Sequence, residues 1–154
     1  KALDAFRAAD NSPRKWLQKF WNKPNRHRKE DAAALNVLAM AAHYSPNPYS
    51  QEMGVYLPFK VDTVEFLDEV WKRWLVWDPA RIVSKYRENL RKLKLIFIDC
   101  GTKDEFNLQW GARIIHSELE NVGIKHYYEE FEDGHSNISY RYDISLPRIY
   151  TELS

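Results

Sequence analysis

One segment constrains the fold of this chain more than any other, because it reads as a strand, a helix and a second strand. KLKLIFIDCG, which ends at Gly101, is a nearly continuous apolar run, as in strands buried on both faces of a parallel sheet. TKDEFNLQWGARIIHSELENVG predicts a loop and then a helix with Gly123 as its C-cap, and IKHYYEEFED predicts the second strand. The segment therefore predicts a βαβ unit with a right-handed crossover.

Two parallel strands do not make a complete domain. A two-stranded sheet cannot bury both faces of its strands, and parallel sheets occur almost only inside larger α/β folds. We therefore expect residues 91–154 to be the end of a doubly wound α/β domain, closed by a short helix over SLPRIYTELS. The chain starts at Lys1, without methionine, inside the helical pattern KALDAFRAAD, so we expect the natural N-terminus to lie upstream.

Residues 1–90 predict a mainly helical, aromatic-rich region. SPRKWLQKFWN has Ser12 as a plausible N-cap and Pro13 at the first helical position, and KEDAAALNVLAMAAHY is an alanine-rich helix. The prolines of SPNPYSQEMGVYLPF predict a loop.

Two more helices are predicted before the first strand. One covers DTVEFLDEVWKRWLVWDP, with a cap near Asp62 and an end at Pro79. The other covers DPARIVSKYRENLRKL, with Asp78 as its cap.

Charge and cysteine content exclude several classes of protein. With 23 Lys and Arg against 22 Asp and Glu, no net field indicates binding to nucleic acid or to an acidic membrane surface. The one basic cluster, KPNRHRKED, is interpreted as a solvated surface. No apolar run approaches the ~20 residues of a membrane span, and no signal-like segment is present. The single cysteine, Cys100, fits a reducing compartment, so we expect a soluble cytoplasmic protein.

Polar residues follow both predicted strands, where open α/β sheets place their ligands and catalytic groups. Asp99, Asp104 and Glu105 lie at the end of the first strand, and Asp133 and His135 lie at the end of the second. If the strands are neighbours, Asp104 and His135 come close in space. A carboxylate that orients an imidazole is the non-nucleophilic part of a Ser-His-Asp triad.

Each of these residues also has a structural interpretation. His135 could be a loop histidine that hydrogen-bonds a carbonyl, and Asp104 could be the N-cap of the helix over 106–122. Asp99 and Glu105 are alternatives for the acid.

The other polar candidates are interpreted as structural residues, and the sequence contains no pattern of metal ligands. Asp133 fits a turn before Gly134, and His116 fits a surface or packing role on the helix between the strands. No His-x-x-x-His or paired-cysteine spacing is present, so no metal site is predicted.

The second part of the chain resembles the C-terminal portion of an α/β-hydrolase. The resemblance is to the esterase D-like family, which includes S-formylglutathione hydrolases and enterochelin esterases. It rests on Gly101-x-x-Asp104 after one strand and on Gly134-His135 after the next, in the superfamily order of acid before histidine. It covers about 65 residues, and residues 1–90 resemble, more loosely, a helical lid or insertion of such esterases.

The family's nucleophile elbow, Gly-x-Ser-x-Gly, is absent. None of the five glycines pairs with another around a serine, and the nearest imitation, around Ser136, lacks the second glycine. Ser136 also follows His135 directly, and consecutive side chains seldom face one another. The resemblance therefore implies that the nucleophilic serine and the oxyanion-hole donors lie outside this chain.

Tryptophans recur in the helical part and next to the predicted site. Trp71, Trp74 and Trp77 are spaced three residues apart, and Trp110 lies on another helix. Packing in a core or lid is the ordinary interpretation of such a stripe. The alternative is an aromatic substrate pocket that closes over the active site.

Two functions follow from the sequence. The first is the C-terminal portion of a serine carboxylic-ester hydrolase that acts on a small ester without a cofactor. The chain alone would then be inactive and would need an N-terminal half as its partner. The second is a non-catalytic ligand-binding or self-associating module that retains a relic Asp104–His135 pair.

Overall fold

The structure, a computed structural model, describes residues 1–25, 29–50 and 53–154. The arginines and the histidine of the predicted basic cluster, at 26–28, lie outside the described residues. The described chain forms two compact units, Lys1–Trp77 and Asp78–Ser154. The mixed α/β class is confirmed, because a mostly helical first part precedes two parallel strands with helices.

The first unit contains the predicted helices α1 (Ala2–Arg7), α2 (Pro13–Trp21) and α3 (Lys29–Tyr44). Ser12 caps α2 as predicted, because its hydroxyl accepts a hydrogen bond from the Lys15 amide at 3.2 Å. The apolar faces of these helices form one core, which consists of Phe6, Ala9, Trp16, Phe20, Ala34 and Leu38.

Helix α4 (Asp68–Leu75) is shorter than predicted, since it begins at Asp68 and not near Asp62. A tight turn occupies the preceding residues, with Val64 at a φ of 64° and the Val64 amide bonded to the Lys60 carbonyl. An isolated antiparallel bridge between Phe59 and Phe66 closes this turn, so the backbone there cannot be helical.

The second unit begins with three short helical segments where the sequence predicts one helix. They are α5 (Pro79–Ile82), a 3₁₀ turn (Ser84–Tyr86) and α6 (Arg87–Leu90). Asp78 caps α5 as predicted, because its side chain accepts a hydrogen bond from the Ala80 amide at 3.0 Å. The helix is interrupted at Tyr86, whose φ of −103° and ψ of 13° lie outside the helical range.

The βαβ unit follows, with β1 (Phe97–Gly101), α7 (Leu108–Asn121) and β2 (Tyr127–Phe131). The strands are parallel and form a two-stranded sheet. Gly123 follows the end of α7 at a φ of 66°, as the predicted C-cap requires.

Most strand residues are half-buried, as expected where only two strands form the sheet of the described chain. The prediction is wrong about the last helix of this unit. The terminal helix α8 (Tyr142–Leu153) starts before SLPRIYTELS and continues through Pro147.

The two faces of β2 contact different helices. Tyr128 stacks on His116 of α7 at a ring-centroid distance of 4.2 Å, and Glu130 accepts hydrogen bonds from Arg113. On the opposite face, the Tyr127 hydroxyl donates to Glu152 of α8 at 2.6 Å. Helices therefore cover both sides of β2 and fix the strand that leads to His135.

Candidate active site

The structure brings Asp104 and His135 together at the carboxyl ends of the two strands. Gly101 and Phe131 are register partners, so the loops that leave β1 and β2 start side by side. Asp104 is the third residue after the first strand, and His135 is the fourth after the second. The imidazole Nδ1 of His135 lies 2.9 Å from Oδ2 of Asp104.

Asp104 contacts both His135 and the loop that leads into α7. It is only 5% exposed, and its second oxygen, Oδ1, accepts a hydrogen bond from the Phe106 amide at 2.7 Å. Asp104 is not the N-cap residue itself, because α7 begins at Leu108 and Asn107 occupies the cap position with a φ of 62°. One carboxylate oxygen thus fixes the loop, and the other faces the histidine.

The hydrogen bonds keep Asp104 ionised. Burial by itself raises the pKa of a carboxyl group, but the hydrogen bonds from His135 and from the Phe106 and Leu108 amides outweigh it. The pKa of Asp104 therefore lies below its ordinary value. An ionised carboxylate can only accept, so Nδ1 of His135 carries a proton and Nε2 is left as the basic nitrogen.

The His135 side chain is exposed, and its second ring nitrogen is unpaired within the described residues. The His135 side chain is 46% exposed, and Nε2 has no hydrogen-bond partner among residues 1–25, 29–50 and 53–154. A group that approaches from outside could therefore transfer a proton to Nε2, as general-base chemistry requires.

A cavity of about 570 Å³ lies beside the Asp104–His135 pair, within the second unit. Apolar side chains of β1, α7 and the loop after β2 line much of it: Ile98, Leu108, Ala112, Ile115 and Ile138. The cavity has the size and polarity of a small-molecule site, with few polar groups at its edge.

The described residues near this cavity include no activated nucleophile. Cys100 also lines the cavity, but burial, followed by the charges of Asp104, Glu130 and Asp99, raises the pKa of its thiol. A protonated thiol is a weak nucleophile. No serine hydroxyl of the described chain hydrogen-bonds to His135.

The other carboxylates at the strand ends have different partners. Asp99 pairs with Arg141 at 3.0 Å, and the Asp133 side chain accepts a hydrogen bond from the Gly134 amide at 2.8 Å. Glu105 contacts the backbone of His135, because its Oε2 accepts a hydrogen bond from the His135 amide at 2.9 Å. Asp104 is therefore the carboxylate that contacts the His135 ring.

Two histidines of the same unit also contact each other, which the sequence did not predict. His116 Nδ1 lies 2.7 Å from Nε2 of His126, whose Nδ1 lies 2.8 Å from the Ile124 carbonyl oxygen. This pair joins α7 to the start of β2. It agrees with a packing role for His116, and no spacing in the sequence indicated its partner.

The four predicted tryptophans have different environments. In the first unit, Trp74 is buried and its indole nitrogen donates to Ser45 at 2.9 Å, while Trp71 and Trp77 remain 36% and 54% exposed. In the second unit, Trp110 is exposed and lies beneath the guanidinium of Arg113. Trp110 is not among the residues that line the cavity beside His135. A substrate-binding role for these tryptophans stays a prediction.

The described residues contain neither a candidate metal site nor a helix able to cross a membrane. No group of three His, Cys, Asp or Glu side chains among them is arranged to hold a metal ion. None of the helices in the described part of the chain combines the length and hydropathy needed to cross a membrane.

Comparison with known proteins leaves the family open. No protein-family model matches the chain, and no curated protein matches it significantly.

Proposed function

We propose that this chain supplies the acid and the histidine of a serine carboxylic-ester hydrolase, whose nucleophilic serine lies outside the chain. The observation that carries the proposal is the 2.9 Å contact between Nδ1 of His135 and a buried, ionised Asp104. This contact leaves Nε2 of the exposed His135 ring unpaired and able to accept a proton. This is the arrangement that a histidine needs to activate a hydroxyl nucleophile.

The proposed reaction has two steps. The serine hydroxyl attacks the ester carbonyl while His135 Nε2 takes its proton, and the proton then passes to the leaving alcohol. Water next attacks the acyl-enzyme with His135 again as the base, which releases the acid and restores the serine. Asp104 keeps the imidazole in the Nδ1-protonated tautomer and stabilises the imidazolium that forms in each step. No cofactor is required for this chemistry.

The test is hydrolysis of a short-chain p-nitrophenyl ester by the purified chain, alone and mixed with the product of any coding sequence upstream of Lys1. Activity is expected only in the mixture. Asp104→Asn should lower kcat by about 10⁴-fold, as loss of the orienting acid does in other triads. Asp143→Asn, in the first turn of α8, is the matched control and should leave the rate unchanged.

Hydrolysis by the chain alone would overturn the placement of the nucleophile outside it. A mixture whose rate is insensitive to Asp104→Asn would overturn the role of the pair.

A second candidate function is supported by an apolar groove in the same unit. A cavity of about 340 Å³ is lined by apolar residues of α5, α6, β1, α7 and the segment between α6 and β1, among them Ile82, Leu90, Leu93 and Ile98. Exposed apolar surface of this kind promotes association. If the chain is a self-associating module, analytical ultracentrifugation will show a concentration-dependent dimer that Leu93→Lys abolishes, and the mixture above will not hydrolyse esters.

A further inference from the structure

Three consecutive residues of the loop between β1 and α7 contact His135 in three different ways. Asp104 accepts from the ring nitrogen Nδ1 at 2.9 Å, and Glu105 accepts from the backbone amide at 2.9 Å. The Phe106 ring lies edge-on to the imidazole, with centroids 4.9 Å apart and an interplanar angle of 78°. The loop therefore fixes the ring, the backbone and one face of a single histidine.

The contact of Glu105 is a charged hydrogen bond. The pKa of Glu105 lies below its ordinary value, chiefly because the His135 amide donates to the carboxylate. The group is thus ionised at neutral pH. The contact is exposed to solvent, and its charged acceptor makes it stronger than the same hydrogen bond to a neutral group would be.

Gly134 lies directly beside the Glu105 carboxylate. A Cβ atom at position 134 would lie 2.8 Å from Oε2 of Glu105, which is too close for the carboxylate to remain where it is. Glycine before His135 therefore leaves room for the Glu105 carboxylate beside the backbone of the turn.

We propose that Glu105 is a positioning residue for His135, which holds the Gly134–His135 turn so that Nδ1 stays on Asp104 and Nε2 remains directed outward. This role rests on the function proposed above for His135. Glu105 is not an alternative triad acid, because it binds the backbone and not the ring. Its effect on a reaction would arise through the orientation of the imidazole, and it would not touch the substrate.

The experiment compares Glu105→Ala and Glu105→Gln in the full chain by NMR, with two readouts on His135. In Glu105→Ala, amide hydrogen exchange at His135 should accelerate about tenfold, and the Nδ1 proton signal should weaken as the ring leaves Asp104. Glu105→Gln keeps an acceptor oxygen and should restore most of both signals. Glu132→Ala, which removes a neighbouring exposed carboxylate with only a 3.9 Å ion pair, is the control.

The outcomes separate this role from the ester-hydrolase function. Unchanged exchange and an unchanged Nδ1 signal in Glu105→Ala would overturn the positioning role, whatever the hydrolysis assay gives. An equal loss of signal in Glu105→Gln and Glu105→Ala would also overturn it, because the acceptor would then not be the cause. If the NMR effects appear and no ester is hydrolysed in any mixture, Glu105 still positions His135, and the proposed ester-hydrolase function of the site is wrong.

Discussion

Replacing Gly101 by alanine tests how tightly the two strand ends are packed. A Cβ at position 101 would overlap the carbonyl oxygen of Asp133 and lie 2.5 Å from the carbonyl oxygen of Gly134. Both are backbone atoms, so no side-chain rotation can relieve the contact. An ordinary contact begins near 3.4 Å, and the Gly134 carbonyl would therefore have to retreat by about 0.9 Å.

This displacement reaches His135, the next residue along the chain. A hydrogen bond of 2.9 Å to Asp104 does not survive a shift of that size unless the loop adjusts. Overpacking of this kind costs about 1–3 kcal/mol, which for a protein of this length lowers Tm by about 2–12 °C. The Nδ1 proton signal of His135 should weaken at the same time.

Gly111→Ala is the matched control. No atom lies within 4 Å of a Cβ at this position inside α7. Alanine is favoured over glycine within a helix by about 0.5–1 kcal/mol, so Tm should rise by about 1–4 °C. Thermal unfolding followed by circular dichroism measures both variants. A Gly101→Ala protein as stable as the parent, with its Nδ1 signal intact, would refute the close approach of the two loops.

Three other predictions follow from the contacts of the two units. Ser45→Ala should destabilise the first unit by about 2–4 kcal/mol in urea, because the buried Trp74 indole and a backbone carbonyl both lose their partner. Hydrogen bonds from Arg113, then from a tyrosine, lower the pKa of Glu130 from 4.5 to about 2. The stability that Glu130 contributes is therefore full above pH 4.5 and lost as pH falls toward 2, a dependence that Glu130→Gln should reduce in acid titrations. Finally, ¹⁵N NMR should find His126 protonated on Nδ1 at neutral pH, because that nitrogen faces a carbonyl oxygen.

Local signals in the sequence were sufficient for much of the fold. Ser12 and Asp78 are capping residues with a proline after each, and both helices start where these residues predict. The sequence could not locate the start of α4, because the turn around Val64 depends on a positive φ that a β-branched residue rarely adopts. The break in the helix after Asp78 was also missed, because no glycine or proline follows Pro79 in that segment to mark it.

The site was predictable where it depends on sheet geometry and not where it depends on loop conformation. Parallel strands place their carboxyl ends together, so Asp104 and His135 could be expected to lie close in space. The contact of Glu105 with the His135 backbone depends on the exact course of two loops. No spacing in the sequence distinguishes it from a solvated glutamate.

The most direct measurement is to find where the nucleophile lies. The chain and the product of any coding sequence upstream of it would be mixed, treated with a serine-reactive fluorophosphonate and digested for mass spectrometry. We predict that a serine outside this chain carries the label and that His135→Ala slows labelling at least about 10³-fold. Labelling of Ser136 or Cys100, or a labelling rate that does not change in His135→Ala, would contradict the proposal that this chain supplies the base for an external serine.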